Sequence, residues 1–169
     1  EDISAFVPDS TCNSLSNPVF EKNFDSMMTY ALRMADINKI KSAADVSEGL
    51  ENLIKKAAFS ANTVKDIADG IKSKRYAYTR IKRILYNILL DIPEASRKKN
   101  PEYIKVLAFN EKGRELLSKM KKTSSLPLIT NVSKKDFQSF SGIKEDYTAS
   151  AIYAAASGEK IKGLKAEII

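Results

Sequence analysis

The stretch Lys72-Ser-Lys-Arg-Tyr-Ala-Tyr-Thr-Arg-Ile-Lys-Arg-Ile-Leu-Tyr-Asn-Ile-Leu-Leu90 changes character halfway along. Its first twelve residues hold six cations, two tyrosines and no acid, and its last seven read as a helix made to be buried. From Tyr78 onward, Ile81, Leu85, Ile88 and Ile92 recur at i, i+4, i+7 and i+11, flanked by Ile84 and Leu89. That spacing predicts one apolar face of a long helix ending at Pro93. Arg80, Arg83 and Asn87 recur at i, i+3 and i+7 and line the opposite edge.

The cations permit two readings. In one, Lys72 and Lys74 complement the C-terminal dipole of a preceding helix, and Arg80, Lys82 and Arg83 form a solvated face. In the other, Lys74, Arg75, Arg80 and Arg83 clamp phosphates, Lys72 adds to the field, and Tyr76 rather than Tyr78 offers a ring for a base to stack on. The charge distribution bears on this choice. Residues 1–54 carry 4 basic and 9 acidic side chains, a balance of −5; residues 55–122 carry 18 and 7, a balance of +11; residues 123–169 carry 6 and 5, a balance of +1. If any part faces a polyanion, it is the middle third.

Upstream, three further helices are predicted. Pro18, capped by Asn17, opens one whose stripe runs through Phe20, Phe24, Met27, Met28, Ala31 and Leu32. Asp45 and Glu48 have the spacing of a capping box for a second, with Val46, Leu50, Leu53 and Ile54 inward and Gly49 inside it. Glu48 and Asn52 share its polar face, and Lys55 and Lys56 read as solvated. Thr63 opens a third over Val64, Ile67, Ala68 and Ile71. Downstream of the basic loop RKKNP (residues 97–101) the periodicity shortens. YIKVLAFN (103–110) reads as a strand, Asn110 as the cap of a helix through Leu116, Leu117 and Met120, and LPLIT (126–130) as a second strand. The two strands of such a βαβ unit run parallel. Asn110 followed by free helix amides is a weak anion site, since Glu111 opposes it and Gly113 is better explained by close packing. A last helix includes residues 144–157, with Glu145 and Asp146 in its first turn, where they suit the dipole.

The expected fold is mainly α, of the α+β class: a helical bundle, a small βαβ element and a C-terminal helix. Residues 1–17 read as a linker, 18–93 as a helical basic region, and 94–169 as the βαβ element with its last helix, packed as one domain. The chain starts with Glu1 rather than Met, and we expect a fragment of a longer protein. Its N-terminus is acidic and lacks the apolar core of a signal peptide, and no apolar run approaches the roughly 20 residues of a membrane span. With one cysteine and no histidine, multi-cysteine and His-ligated metal sites and imidazole-dependent catalysis cannot be assembled from these residues. We therefore expect neither catalytic nor metal-binding residues here, and a cytoplasmic setting.

Several stretches together, SEGLENLIKKAA, IKSKRYAYTRIKRILYNILL, YIKVLAFNEKGRELLSKMKK, LPLIT and DYTASAIYA, resemble the C-terminal region of the tRNA(Met) cytidine acetate ligase family. The resemblance runs from Asp2 to Ala155. It implies a parent enzyme that activates acetate with ATP and acetylates the wobble cytidine of elongator methionine tRNA. The His-x-Gly-His adenylation motif would then lie in an upstream domain, so this fragment would itself hold no cofactor. Its implied partners are tRNA and that upstream nucleotidyltransferase domain, with no membrane. Glu48 to Asn52 match the family's Glu-Gly-Leu-Glu-Asn, and Lys72, Lys74, Arg75, Tyr76, Thr79, Arg80 and Arg83 match its basic-aromatic string. Ala77 stands where the family has Thr, Tyr78 where Trp or another aromatic is usual, and Leu53 where Arg is common. The expected role is tRNA binding and scaffolding through Lys72, Lys74, Arg75, Tyr76, Arg80 and Arg83. A rival role is a module that packs on the upstream domain, using Glu48, Asn52 and Asn87, without touching RNA.

Overall fold

The computed structural model describes residues 6–7, 11–12, 18–47, 49–161 and 167–168. Apart from four residues, the expected linker 1–17 lies outside them, as do Asn17 and Glu48.

After a 3-10 turn at Glu21–Phe24, five helices build the core: α1 (Asp25–Met34), α2 (Ile37–Ser42), α3 (Leu50–Ser60), α4 (Val64–Ile71) and α5 (Tyr78–Leu89). α5 packs on α1 and α4, and α3 on α1, α2 and α4. The stripe read from the sequence is the buried one: Ile81, Ile84 and Leu85 are at most 1% exposed and Ile88 4%. They meet Met28, Leu32, Ile54 and Ile67 from the neighbouring helices. Each such side chain contributes about 1.5–3 kcal/mol when taken fully out of water. Met28 fills core space as expected, whereas Phe20 is 56% exposed, outside the stripe.

Helix ends are closed across the bundle. Asp25, the first residue of α1, accepts the Val64 N–H at the start of α4 (2.7 Å), and Thr63 accepts the Asp66 N–H (3.0 Å). Arg33 in α1 donates to the Ala58 and Ala61 carbonyls that end α3 (2.8 and 3.1 Å). Lys55 in α3 returns the contact, donating to the Leu32, Arg33 and Ala35 carbonyls that end α1. Lys55 is thus not a solvated lysine. Its ammonium satisfies carbonyls that a helix end leaves without intrahelical partners.

The start of α3 differs from the sequence reading. Asp45 does not cap it. The chain turns at Asp45 (φ 70°), and the helix begins only at Leu50, with Gly49 at the cap position (φ 85°). Gly49 therefore lies outside the helix, in left-handed backbone that a Cβ disfavours. α5 also ends before Pro93: Asp91 turns the chain (φ 56°), and Pro93 instead precedes the short α6 (Glu94–Arg97).

The C-terminal part follows the expected order with one split. β1 (Ile104–Lys105) pairs in parallel with β3 (Leu128–Ile129), with Ile104 opposite Leu128 and Lys105 opposite Ile129. Between them runs α7 (Glu111–Thr123), capped by Asn110, whose Oδ1 accepts the Gly113 N–H (2.9 Å). The run 103–110 is not one strand. It breaks at Val106–Leu107, and β2 (Ala108–Phe109) pairs in parallel with β4 (Glu167–Ile168), so its two halves serve different partners. Between β3 and β4 lie α8 (Lys134–Ser139) and the long α9 (Ser141–Ser157), with Asn23 donating to the Ala156 carbonyl (3.1 Å). The architecture is the expected α+β arrangement, mostly helical with small parallel pairings.

Two substitutions test the helix entrances. Gly49→Ala is expected to destabilise the protein by about 1 kcal/mol, because left-handed backbone carries that cost for a Cβ; a helix-interior Gly49 would instead give a similar gain. Ala77 caps α5 without any side-chain hydrogen bond. Ala77→Thr, which adds a capping hydroxyl, is expected to stabilise by roughly 0.5–1 kcal/mol. Denaturant unfolding reads both signs.

Candidate nucleic-acid interface

The arginine ridge of α5 faces the turn between α2 and α3. Ala44 donates its N–H to the Ile92 carbonyl (2.9 Å), and its own carbonyl accepts from Asn87 Nδ2 (3.1 Å). The Asp45 N–H donates to Glu94 Oε2 (3.0 Å), and the Asp45 carbonyl accepts from Arg80 Nη2 (3.1 Å). The Asp45 carboxylate takes Arg83 Nε on Oδ2 (2.6 Å) and Arg97 Nη1 on Oδ1. Ser47 Oγ donates to the Tyr76 hydroxyl (3.2 Å).

This geometry corrects several expected roles. Tyr76 is 5% exposed, and its ring carries the guanidiniums of Arg75 and Arg80, 5.5 and 5.6 Å from its centroid. No base can stack on it as it stands. Arg80 and Arg83 share one line, as read, but that line is spent on a carbonyl and a carboxylate of the chain itself. Asn87 is a backbone tether for the same turn, which accounts for it without a ligand. Asn52 is exposed and makes no side-chain hydrogen bond among the described residues. Arg97 and Asp45 complete the cluster and were not singled out as site residues. The basic RKKNP loop marked Arg97's neighbourhood, but nothing local marks Asp45 as an ion-pair partner 38 residues from Arg83.

What remains open is the loop before α5. Lys72, Lys74 and Arg75 are exposed, and none of them is in an ion pair among the described residues. Lys72 lies over the Tyr78 ring (5.9 Å), whose surroundings also hold Lys82 (4.6 Å). Lys82 is neutralised by Glu21 at 2.7 Å, which raises its pKa. The loop thus presents three exposed cations at the mouth of the ridge, with Lys72 also in the field of Asp69.

A second polar region is a cleft of about 310 Å³ where α6 and the following loop meet α9, lined by Ser96, Lys99, Tyr103, Lys105, Ser141 and Asp146. Glu145 accepts from Ser96 Oγ (2.7 Å), and Asp146 takes Lys105 Nζ (2.9 Å) and the Tyr103 hydroxyl (3.4 Å). These acids stand in the second turn of α9, so they tie elements together and do not serve the helix dipole as expected. Burial first, then the Asp146 charge, pushes the Tyr103 phenol up to about 12. Gly113, by contrast, serves packing, as read: a Cβ there would come within 3.1 Å of Phe109 Cβ. Among the described residues no acidic, cysteine or histidine cluster could hold a metal ion, and no helix is long and apolar enough to cross a membrane.

These features lie in a chain that belongs to the HIGH Nucleotidyl Transferase family, whose sequence profile matches residues 1–166. Its relatives include the tRNA(Met) cytidine acetate ligase of Thermoanaerobacter sp. (strain X514), 39% identical over 177 residues, covering 97% of this chain and 43% of the relative. The ligase of the same name from Acetivibrio thermocellus is 42% identical over 121 residues, 69% of this chain and 29% of the relative. Among solved structures, apo Thermotoga maritima TmcAL superposes with a TM-score of 0.77 at 25% identity, over 95% of this chain and 44% of that one. TmcAL bound with alpha-thio ATP gives 0.74 at 29% identity, over 86% and 39%. The chain thus spans less than half the length of the relatives it matches.

Tyr103 offers a direct check on the cleft. Its proton is held more tightly in the folded protein than at the usual tyrosine value of 10.0, so its contribution to stability is full below about pH 10 and lost as the pH rises through about 12. Tyrosinate absorbance should show a late phase that Tyr103→Phe diminishes, the remainder belonging to Tyr86, which burial also raises.

Proposed function

We propose that this chain is the tRNA-docking part of a tRNA(Met) cytidine acetate ligase, C-terminal to the adenylating motif. The observation that carries the reading is the exposed loop Lys72–Lys74–Arg75, three cations in no ion pair among the described residues, within a middle third of net charge +11. Phosphodiesters are bound chiefly by such side chains, arginine by a forked pair of N–H groups and lysine as a mobile charge. The ridge behind them fixes the turn and so holds the loop's base in place.

The name of the relatives points to joining acetate to a cytidine, and one of the matching structures is bound with alpha-thio ATP. A nucleotidyltransferase of the His-x-Gly-His type holds the triphosphate with imidazoles, and none occurs in these 169 residues. The start of α7 is a poor substitute, because Asn110 already occupies its Gly113 amide and Glu111 stands in its first turn. We therefore assign the chain's own residues to binding and orientation, and adenylation to imidazoles supplied outside them.

A second reading has its own support. Arg80, Arg83 and Asn87 all face inward to the 43–47 turn, as a scaffold that shapes a neighbouring active site would require. Titration of the purified protein with elongator methionine tRNA across salt concentrations separates the two. A Lys74→Gln, Arg75→Gln variant should keep its thermal stability, since both side chains are exposed. It should flatten the log–log salt slope by roughly 1.5, at about 0.7–0.9 per lost phosphate contact. An unchanged slope and affinity would favour the scaffold.

A further inference from the structure

The geometry points to a phosphate-binding site at Arg83 and Arg97 that Asp45 fills in the free protein. Two guanidiniums from different elements, α5 and α6, each meet one of the two oxygens of a single carboxylate. The same two N–H groups suit two oxygens of a phosphate. Their outer sides are open, with Arg83 61% and Arg97 50% exposed in their side chains, while the Asp45 side chain is 11% exposed beneath them. Arg80 adds a third guanidinium at the Asp45 carbonyl.

The cluster is also continuous with the open loop. Arg80 and Arg75 lie on the same Tyr76 ring, so one cationic track runs from Lys74 and Arg75 through Arg80 to Arg83 and Arg97. Among the described residues Asp45 and Glu94 are the acids that interrupt it, and Glu94 sits 3.8 Å from Arg97. Asp45 is delivered by left-handed backbone that Asn or Gly would adopt more readily. That backbone is open to an uncharged residue as well, so the charge of Asp45 acts on the guanidiniums it meets. An arriving phosphate competes for the N–H groups that Asp45 holds, which makes Asp45 an internal stand-in that lowers affinity until a polyanion engages the whole track. The RNA arm of this inference rests on the docking reading above; the phosphate arm does not.

Asp45→Asn keeps the left-handed tendency and removes the charge. Inorganic tripolyphosphate and elongator methionine tRNA are the two probes, applied to wild type and variant. In the variant, the Arg83 Nε–H resonance should shift with tripolyphosphate where the wild type does not. tRNA should bind about fivefold tighter per freed guanidinium at 0.1 M salt, with a slope steeper by roughly 1.5. Arg97→Gln in the Asp45→Asn background should cancel the gain. If tripolyphosphate responds while tRNA binds neither protein, the phosphate site stands and the docking reading falls. If wild type binds tRNA and the variant gains with neither probe, docking stands and the phosphate site is wrong. Asp45→Gly serves as a second variant, and loss of fold in both would make Asp45 structural and overturn the inference.

Discussion

The meeting of Asp45 with Arg80, Arg83 and Arg97 sets the path of the chain between α2 and α3. A carboxylate with a side chain only 11% exposed loses much of its hydration, a cost that becomes severe when no partner replaces the water. Here two guanidiniums supply the replacement, and a third holds the carbonyl of the same residue. Exposed ion pairs typically contribute only about 0.2–1 kcal/mol each, so the cluster matters less for total stability than for position. Ala43 and Ala44 are pinned to Pro93 and Ile92, which carries the start of α6 back against the turn that follows α2. The basic ridge is thereby a framework before it is a surface.

The same economy of charged side chains appears at the other end of the bundle. Arg33 and Lys55 exchange caps between α1 and α3, and Phe59 lies beneath both cations at 5.8 and 5.5 Å. Short helices leave many carbonyls without intrahelical partners, and long cationic side chains reach them from the neighbouring helix while their stems stay packed. A positive net charge in such a protein is therefore not a measure of how much cationic surface a ligand meets. Much of the +11 in residues 55–122 is engaged internally, by Lys55, Arg80, Lys82, Arg83, Arg97 and Lys105 among others. The group left open, Lys72, Lys74 and Arg75, is compact and sits at the N-terminal approach to α5.

This division gives the functional proposal its shape. A docking surface needs cations that are free to exchange solvent for phosphate, and it needs them held by something rigid. The α5 stripe, fully buried at Ile84 and Leu85, supplies the rigidity. Tyr76 couples the two regions, because its ring faces Arg75 and Arg80 while its hydroxyl holds Ser47.

The sequence by itself determined the elements whose signals are local. The 3.6-residue stripe of α5, the Thr63 and Asn110 caps, the parallel βαβ unit and the family resemblance were all legible, because periodicity and capping are written within a few residues. Two short helices had equally local signatures that went unread: Asp36 accepting from Lys39 N–H ahead of α2, and Ser133 with Asp136 ahead of α8. Only the tertiary structure decided what the polar residues do. Tyr76 as a buried ring, Asp45 as an ion-pair centre in place of a helix cap, Lys55 as a cap for a different helix and the parting of β1 from β2 all depend on partners roughly 20 to 60 residues away. A side chain's charge is fixed by its type, but whether that charge meets solvent, a carboxylate or an orphan carbonyl is fixed by what folding brings within about 3 Å of it.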